Sequence, residues 1–239
     1  MLTGKKNYAP LRGILLAAIL VGGIPAETVA ETITVGATID ATLIEDELGL
    51  LANGSGPALF VGRTGQVIGG VRRAMVRFDL AGTLPDKAII ERVSLELHLT
   101  PSNDRTSTVA LHRILQPWSE GPAFSSGGAG APSTAGDSTW LHRLYDYEFW
   151  TIAGGHFVAR ASAESLIAGE GFYTWQNTPG LLADLRAWQH APRRNFGWIL
   201  IGDEATRQSV KRFDSRESSN PDSRPTLTIE YRLPDGQRP

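Results

Sequence analysis

Residues 92–99 read RVSLELHL and alternate polar and apolar side chains without a break. Successive side chains of a β-strand point to opposite faces, so this alternation predicts a strand with one face in a core and the other in solvent. The residues predicted to point into the core are Val93, Leu95, Leu97 and Leu99. The opposite face then carries Arg92, Ser94, Glu96 and His98.

Residues 73–79 repeat the same alternation and predict a second strand of this kind. The side chains predicted to point inward are Ala74, Val76 and Phe78. Those predicted to point outward are Arg73, Met75 and Arg77. Two such strands indicate a sheet with one buried face and one solvated face, as is common in antiparallel sheets.

Shorter stretches with a period of two recur along the chain between clusters of Gly, Pro, Asn, Asp and Ser. Clear ones lie at 108–114, 196–201, 210–213 and 226–231, and weaker ones at 33–39, 58–61, 156–161 and 172–175. About ten short strands with such punctuation predict an antiparallel β-sandwich or barrel. The predicted core is Val76, Phe78, Val93, Leu95, Leu97, Leu99, Ile199, Ile201, Leu227 and Ile229.

One helix is predicted from Pro179 to His190. Proline suits the first helical position, and Thr178 before it suits the N-cap. Apolar residues then recur at spacings of three and four and form one stripe. They are Leu181, Leu182, Leu185 and Trp188. We expect this short helix to cap one end of the sandwich, with Trp188 in the core.

The N-terminus has the features of an export signal. Lys5, Lys6 and Arg12 precede an apolar stretch of 12 residues at 13–24, which is too short to span a bilayer and suits a signal peptide. Small residues predict cleavage after Ala30, or after Ala26; an uncleaved membrane anchor is the alternative. The sequence thus predicts a secreted or periplasmic protein without stable membrane insertion, in which residues 31–239 form one domain.

Composition excludes several classes of function. The 239 residues include no cysteine, which excludes disulfides and thiolate chemistry. The net charge is −2, and without residues 1–30 it is 20 bases minus 24 acids, or −4. A mildly acidic chain without a basic run is a poor nucleic-acid binder. The five histidines are scattered, and no nucleophile elbow, zinc-protease motif or phosphate-binding loop is present. We therefore expect no catalytic residues and no cofactor.

Residues 136–157 form the first candidate binding segment, after a Gly/Ser-rich loop at 121–138. Aromatic faces beside hydrogen-bonding groups suit sugar rings. The candidate ligand-binding residues here are Trp140, His142, Tyr147 and Trp150. The alternative is that these aromatic residues cap the sandwich and secure the long loop, since buried tryptophan is common in cores.

Residues 211–217, KRFDSRE, form the second segment of interest. Alternation places Arg212 and Asp214 on one face and Lys211, Phe213 and Ser215 on the other. We expect a structural motif in which Phe213 anchors the strand, and Asp214, Arg216 and Glu217 pin the following turn with ion pairs, including one between Asp214 and Arg216. Arg212 is instead a candidate ligand contact.

Several of these segments, in this order, resemble the DNRLRE domain, a family of secreted bacterial and archaeal β-sandwich domains. The resemblance spans about residues 37–231 and rests on a series of motifs. They are RRAMVRFDL (72–80), ERVSLELHL (91–99), VALHRILQPWSEG (109–121), GDSTWLH (136–142), NFGWILIG (195–202), KRFDSRES (211–218) and RPTLTIEY (224–231). The resemblance implies a jelly-roll-like sandwich and carbohydrate binding. Relatives include modules attached to polysaccharide lyases, some reported to bind alginate, and disaggregatase-related proteins of cell-wall matrices.

Three hypotheses about function follow. The leading one is a non-catalytic binding domain for an extracellular polysaccharide or cell-surface matrix, acidic or neutral. The acidic form would contain uronates, whose carboxylates arginine binds well. The arginines expected to be exposed for this are Arg73, Arg77 and Arg212. The others are a structural or adhesive surface protein that binds other proteins, and a polysaccharide lyase or hydrolase. A structural calcium ion is compatible with oxygens from Asp40, Asp137 and Asp214, although no ligand-spaced loop is visible.

Overall fold

The computed structural model describes Met1, residues 30–85 and residues 87–234. The predicted export signal at 1–30 therefore lies, apart from its two end residues, outside the described part of the chain. In the described part, no helix is long and apolar enough to cross a membrane.

Fifteen β-strands and one α-helix make up the described part of the chain, and every strand pairing is antiparallel. The strands are β1 (Glu31–Gly36), β2 (Ile39–Ile44), β3 (Leu51–Asn53), β4 (Ala58–Arg63), β5 (Val71–Arg77), β6 (Ile89–Leu99), β7 (Ser107–Arg113), β8 (Ala131–Pro132), β9 (His142–Leu144), β10 (Glu148–Phe149), β11 (Ala163–Ile167), β12 (Gly171–Gln176), β13 (Trp198–Ile201), β14 (Lys211–Asp214) and β15 (Thr226–Arg232). The helix α1 spans Pro179–His190.

The strands form two packed sheets. The first sheet holds β1, β15, β6 and β12 side by side, and β14 and β4 continue it beyond the end of β15. The second sheet runs β3, β2, β5, β13, β7 and β11, with β8 beside β3 and β9–β10 as a separate hairpin. Strand β4 joins both sheets, because it pairs with β14 and, through its last two residues, with β5. The fold is an all-β sandwich with one short helix, as predicted.

The two sheets enclose one apolar core. Trp175 and Phe213 from the first sheet and Trp198 from the second lie in this core, and all three are fully buried. The alternation in residues 92–99 is confirmed, since the four apolar side chains of that stretch lie in this core and the polar ones do not. The predicted core residues are buried except Ile201, which ends β13 and is half-buried. Ile199 and Ile201 lie on the opposite face of the second sheet and not in this core.

Helix α1 closes the core at one end of the sandwich. Thr178 accepts a hydrogen bond from the Leu181 amide at 3.1 Å, which confirms it as the N-cap. The stripe buries Leu181, Leu185 and Trp188, and the Trp188 ring lies 4.6 Å from the ring of Trp198. The sequence therefore predicts this helix correctly in position, bounds and buried face.

The second sheet is apolar on both faces, which the sequence did not predict. Its outer face buries Met75 completely, although the alternation at 73–79 indicated an outward, solvated side chain. The cover is a third layer formed by residues 115–157, which we call the outer layer. Trp118 and Trp150 pack on the outer face and donate hydrogen bonds to the carbonyls of Phe196 (2.7 Å) and Thr139 (3.0 Å).

The remaining differences concern short or irregular strands. Residues 156–161, predicted as a strand, make only one isolated bridge, from Phe157 to Ile114. The strand that pairs with β7 at this edge is instead β11. Its inward side chains are Ala163, Ser165 and Ile167, and only the last is large and apolar, so the sequence shows no clear alternation. Strands of two or three residues, such as β8 and β10, are too short for any period to show.

The buried state of Met75 gives a test of the three-layer arrangement. We expect Met75→Ala to lower the free energy of unfolding by about 2–5 kcal/mol, as for other buried methionines. The matched control is Leu166→Ala in β11, where the leucine is 65% exposed and the change should stay within about 0.5 kcal/mol. Urea unfolding measures both. A Met75→Ala variant as stable as the Leu166→Ala variant would show that the outer layer does not cover the sheet.

Candidate functional site

Most of the predicted aromatic binding residues serve to hold the outer layer in place. Trp150 is buried against the second sheet. His142 is also buried; its Nδ1 lies 3.0 Å from Thr139 Oγ1, and its ring lies 4.3 Å from that of Phe149. Burial lowers the pKa of His142 below its ordinary value, although the charge of Asp146 acts in the opposite direction. These residues therefore favour the structural alternative, in which the aromatic segment caps the sandwich.

Tyr147 is the exception, because it lies at the tip of the β9–β10 hairpin and is largely exposed. Trp140 is half-buried and lies under the guanidinium of Arg73, whose Cζ is 4.8 Å from the ring centroid. A glycan can reach Tyr147, but only part of Trp140.

Arg73 was expected to be exposed, and the structure corrects this. Its Nε and Nη2 donate to the two carboxylate oxygens of Glu204 at 2.7 and 3.0 Å, and its Nη1 donates to the Gly154 carbonyl at 2.7 Å. The side chain is mostly buried. Its charge and most of its donors are thus used within the protein, where they tie the outer layer to the second sheet. Arg77 and Arg212 are half-buried and lie on different sheets.

The first sheet has an open outer face on the side opposite the core. Its outward side chains lie in four rows across neighbouring strands, and we call this surface the open face. The rows are Phe172, His98 and Asp214; Thr174, Glu96 and Thr226; Gln176, Ser94, Thr228 and Thr34; and Arg92, Glu230 and Thr32. The face ends at β4, because the next outward residue, Phe60, is buried beneath Gly128 of the outer layer.

Phe172 is the aromatic residue of the open face and is 55% exposed. The ring of His98 lies 4.7 Å from it, and His98 Nδ1 lies 2.8 Å from Asp214 Oδ2. Arg212, on the same strand as Asp214, donates to Thr100 Oγ1 at 2.8 Å. The expected pairing of Asp214 with Arg216 is wrong, because Asp214 pairs with His98 across the open face instead.

A cluster of three carboxylates and one arginine lies at the edge of the outer layer. The four residues are Asp40 in β2, Glu120 in the outer layer, and Arg216 and Glu217 after β14; we call them the acidic cluster. Arg216 Nε and Nη2 donate to the two oxygens of Glu120, each at 2.7 Å, and Nη2 also lies 2.8 Å from Glu217 Oε1. The expectation that Arg216 pins this turn through an acid is confirmed, with Glu120 as the main partner.

The backbone is arranged to bring these groups together. The Arg216 amide donates to Asp40 Oδ2 at 2.7 Å, and the Asp40 amide donates to Glu120 Oε1 at 2.8 Å. Gly54 packs so closely on the chain that a Cβ there would lie 1.9 Å from the Glu120 carbonyl oxygen. Any side chain at residue 54 would push Glu120 away from Arg216.

The acidic cluster has strongly perturbed ionisation. Burial raises the pKa of Asp40 well above its ordinary value, and the charges of Glu217 and Glu120 act in the same direction. Burial also raises the pKa of Glu217, again with help from the charge of Glu120. Arg216 has a raised pKa, chiefly through its hydrogen bonds to Glu120. Three acids close together thus share one firmly charged guanidinium.

The three aspartates suggested as calcium ligands do not lie together in the structure. Asp40 lies with Glu120 and Glu217 and not with Asp137 or Asp214. Asp137 accepts hydrogen bonds from the amides of Ala123 (3.0 Å) and Thr134 (2.7 Å) and so holds the loop at 121–138 in a fixed conformation. From sequence, nothing marked Glu120 as a partner of Asp40.

Comparison of the chain with models of known protein families and with curated proteins finds no match. The resemblance to the DNRLRE domain therefore remains a prediction that rests on the order of the motifs.

Removal of the central arginine tests whether the acidic cluster holds the fold together. Arg216→Gln leaves the acids of the cluster without their guanidinium. We expect the free energy of unfolding to fall by about 3 kcal/mol. This is the low end of the range for a broken buried pair, because the side chain of Arg216 is 37% exposed. The control is Arg92→Gln, whose pair with Glu230 is exposed and should contribute less than about 1 kcal/mol. Equal losses in urea unfolding would contradict a central role for Arg216.

Proposed function

We propose that this protein is a non-catalytic binding domain for an extracellular polysaccharide, and that it binds the glycan chain on the open face of the first sheet. The observation that carries the proposal is the exposed ring of Phe172 beside the His98–Asp214 pair, on an otherwise polar sheet surface. Sugar rings have an apolar face that packs on an aromatic ring and hydroxyls that need hydrogen-bond partners around it.

The dimensions of the open face suit a chain ligand better than a small molecule. Side chains on one face of a strand repeat every two residues, so four rows extend for about 20 Å, and four strands span about 14 Å. Between the rows, Arg92, Thr174, Gln176 and Glu230 border a shallow depression of about 160 Å³. A long, shallow polar surface with a ring at one end fits several successive sugar units.

The polar groups of the open face provide both donors and acceptors for hydroxyls. Glu96 Oε2 lies 3.4 Å from Thr174 Oγ1, and Thr34 Oγ1 lies 3.2 Å from Thr228 Oγ1. These contacts are long, and the groups lie at the surface, where a ligand can replace or share them at little cost. The side chains are also held on strands, so little conformational entropy is lost on binding.

The charges of the open face favour a neutral glycan over a uronate polymer. Arg92 and Arg212 are its cations, whereas Glu96, Asp214 and Glu230 are its anions. Arg73, which was expected to bind uronate carboxylates, is already paired with Glu204. Neutral polysaccharides are therefore the preferred ligands, and alginate and pectin are the acidic comparisons. The predicted secretion of the protein would bring it into contact with such polymers.

Catalysis is not part of this proposal. A lyase or hydrolase needs acids that the substrate can reach. The described acids that gather in a group of three are Asp40, Glu120 and Glu217, and Asp40 is 1% exposed. A glycan chain cannot contact Asp40 without displacing the outer layer.

A second candidate function rests on a different surface. Leu48 and Ile68 are exposed on neighbouring loops and border one depression of about 350 Å³, which also carries Glu45, Asp46 and Glu47. Exposed apolar side chains in one place, with a polar rim, are typical of protein-binding surfaces. This surface fits the alternative of a structural or adhesive protein.

The proposal predicts the effect of removing the exposed ring. We expect Phe172→Ala to weaken glycan binding about ten- to a hundredfold, the equivalent of losing about 1.5–3 kcal/mol of apolar burial. Its melting temperature should stay close to that of the parent, because the ring is half exposed. Affinity electrophoresis against neutral glycans, alginate and pectin gives the affinities.

Two variants act as controls in the same gels. Leu166→Ala removes an exposed apolar side chain from the second sheet, and Tyr147→Ala removes an exposed aromatic side chain from the outer layer. Both should bind like the parent. Loss of binding in Tyr147→Ala alone would place the site on the outer layer instead. The protein-binding alternative would be favoured if no glycan retards the protein and if the protein self-associates in a way that Ile68→Asp abolishes.

A further inference from the structure

Three carboxylate oxygens of the acidic cluster have no hydrogen-bond partner. They are Asp40 Oδ1, Glu217 Oε1 and Glu217 Oε2, and all three are buried. Arg216 Nη2 lies 2.8 Å from Glu217 Oε1 without pointing an N–H at it, so this contact supplies charge but no hydrogen bond. Buried polar groups are normally satisfied, and buried carboxylates need a cation or hydrogen bonds. These oxygens therefore indicate a binding site for a ligand.

The charge of the acidic cluster indicates what kind of ligand suits it. With all three carboxylates ionised, as they are when they bind a cation, the acids and the guanidinium sum to −3 + 1 = −2. Arg216 donates its two hydrogen bonds within the cluster to Glu120, and its remaining N–H groups leave the oxygens of Asp40 and Glu217 unpaired. A divalent cation would neutralise the remaining charge and supply a partner for those oxygens at once.

The distances within the acidic cluster allow one ion to be shared. One oxygen from each carboxylate lies within 4.8 Å of the other two. Calcium binds oxygen at about 2.3–2.6 Å, so two ligands of one ion lie at most about 5.2 Å apart. Magnesium requires shorter bonds of about 2.0–2.1 Å in near-ideal octahedral geometry and retains several waters, which suits this buried set less well.

We propose that Asp40, Glu120 and Glu217 hold a divalent cation of the calcium type. Such an ion would link β2, the outer layer and the turn after β14, three segments that are distant in sequence. Its role is to fix the outer layer on the second sheet. The site lies apart from the open face, so this proposal does not depend on glycan binding.

Calcium binding to the native state alone must raise the thermal stability of the protein. We expect the full chain, stripped with EGTA, to melt about 5 °C or more higher when calcium is added at a hundredfold excess over its dissociation constant. Titration calorimetry of the stripped protein with calcium chloride should show one site per chain. Magnesium chloride at the same concentration should give a smaller shift.

The isosteric variant Glu217→Gln separates an ion site from a purely structural acid. It removes one ligand charge and retains the shape, so the calcium-induced shift in melting temperature should disappear. The stripped variant should melt at or above the temperature of the stripped parent, because an unpaired buried charge has been removed. The control Glu230→Gln, which changes a paired carboxylate of the open face, should retain the full calcium response.

Asp40→Asn gives a second test of the same ligand set and should also abolish the calcium response. Absence of both calcium heat and a calcium-dependent melting shift in the parent would overturn the proposal. A parent protein whose melting temperature rises as the pH falls but does not change with calcium would also overturn it. Asp40 and Glu217 would then share a proton instead of an ion. A full calcium response in Glu217→Gln would place the ion elsewhere and equally overturn the site.

Discussion

The need to cover the second sheet determines the rest of the architecture. Apolar side chains on both of its faces cannot be buried by a two-layer sandwich, because only one face meets the other sheet. Met75 and Ile199 lie on the additional apolar face, and Trp118 and Trp150 of the outer layer cover it. One sheet thus becomes the middle of three layers, and the first sheet alone retains an outer face open to solvent.

The acidic cluster fastens this third layer at its start. Glu120 follows Trp118 by two residues, and its bidentate contact with Arg216 joins the outer layer to the turn after β14. Arg73 makes a second connection through Gly154 near the end of the layer. Polar contacts between segments distant in sequence add little net stability unless they are fully satisfied, but they fix register and position. The unpaired oxygens of Asp40 and Glu217 therefore matter for the whole layer.

The local pattern of the sequence predicts the first sheet well and the third layer poorly. Alternation alone predicted the buried faces of residues 92–99 and 211–215. The N-cap Thr178 and the apolar stripe after it predicted α1. Alternation cannot show whether the opposite face is solvated, which is why Met75, between two arginines, was misplaced. Asp40, Glu120 and Arg216 meet only through long-range folding, and one sequence carries no sign of such pairing. His98 was correctly predicted to face outward, but its neighbour Phe172 was known only as part of a weak strand.

Polysaccharide binding on the open face of the first sheet can be mapped residue by residue. The measurement is an NMR titration of the isotope-labelled protein with an oligosaccharide of the glycan retained best in affinity electrophoresis. We predict that the largest shift changes map to the ring of Phe172, the imidazole of His98 and the amides around Glu96 and Thr174. Changes confined to the tip of the β9–β10 hairpin around Tyr147, with the open face unaffected, would show that the glycan binds the outer layer instead.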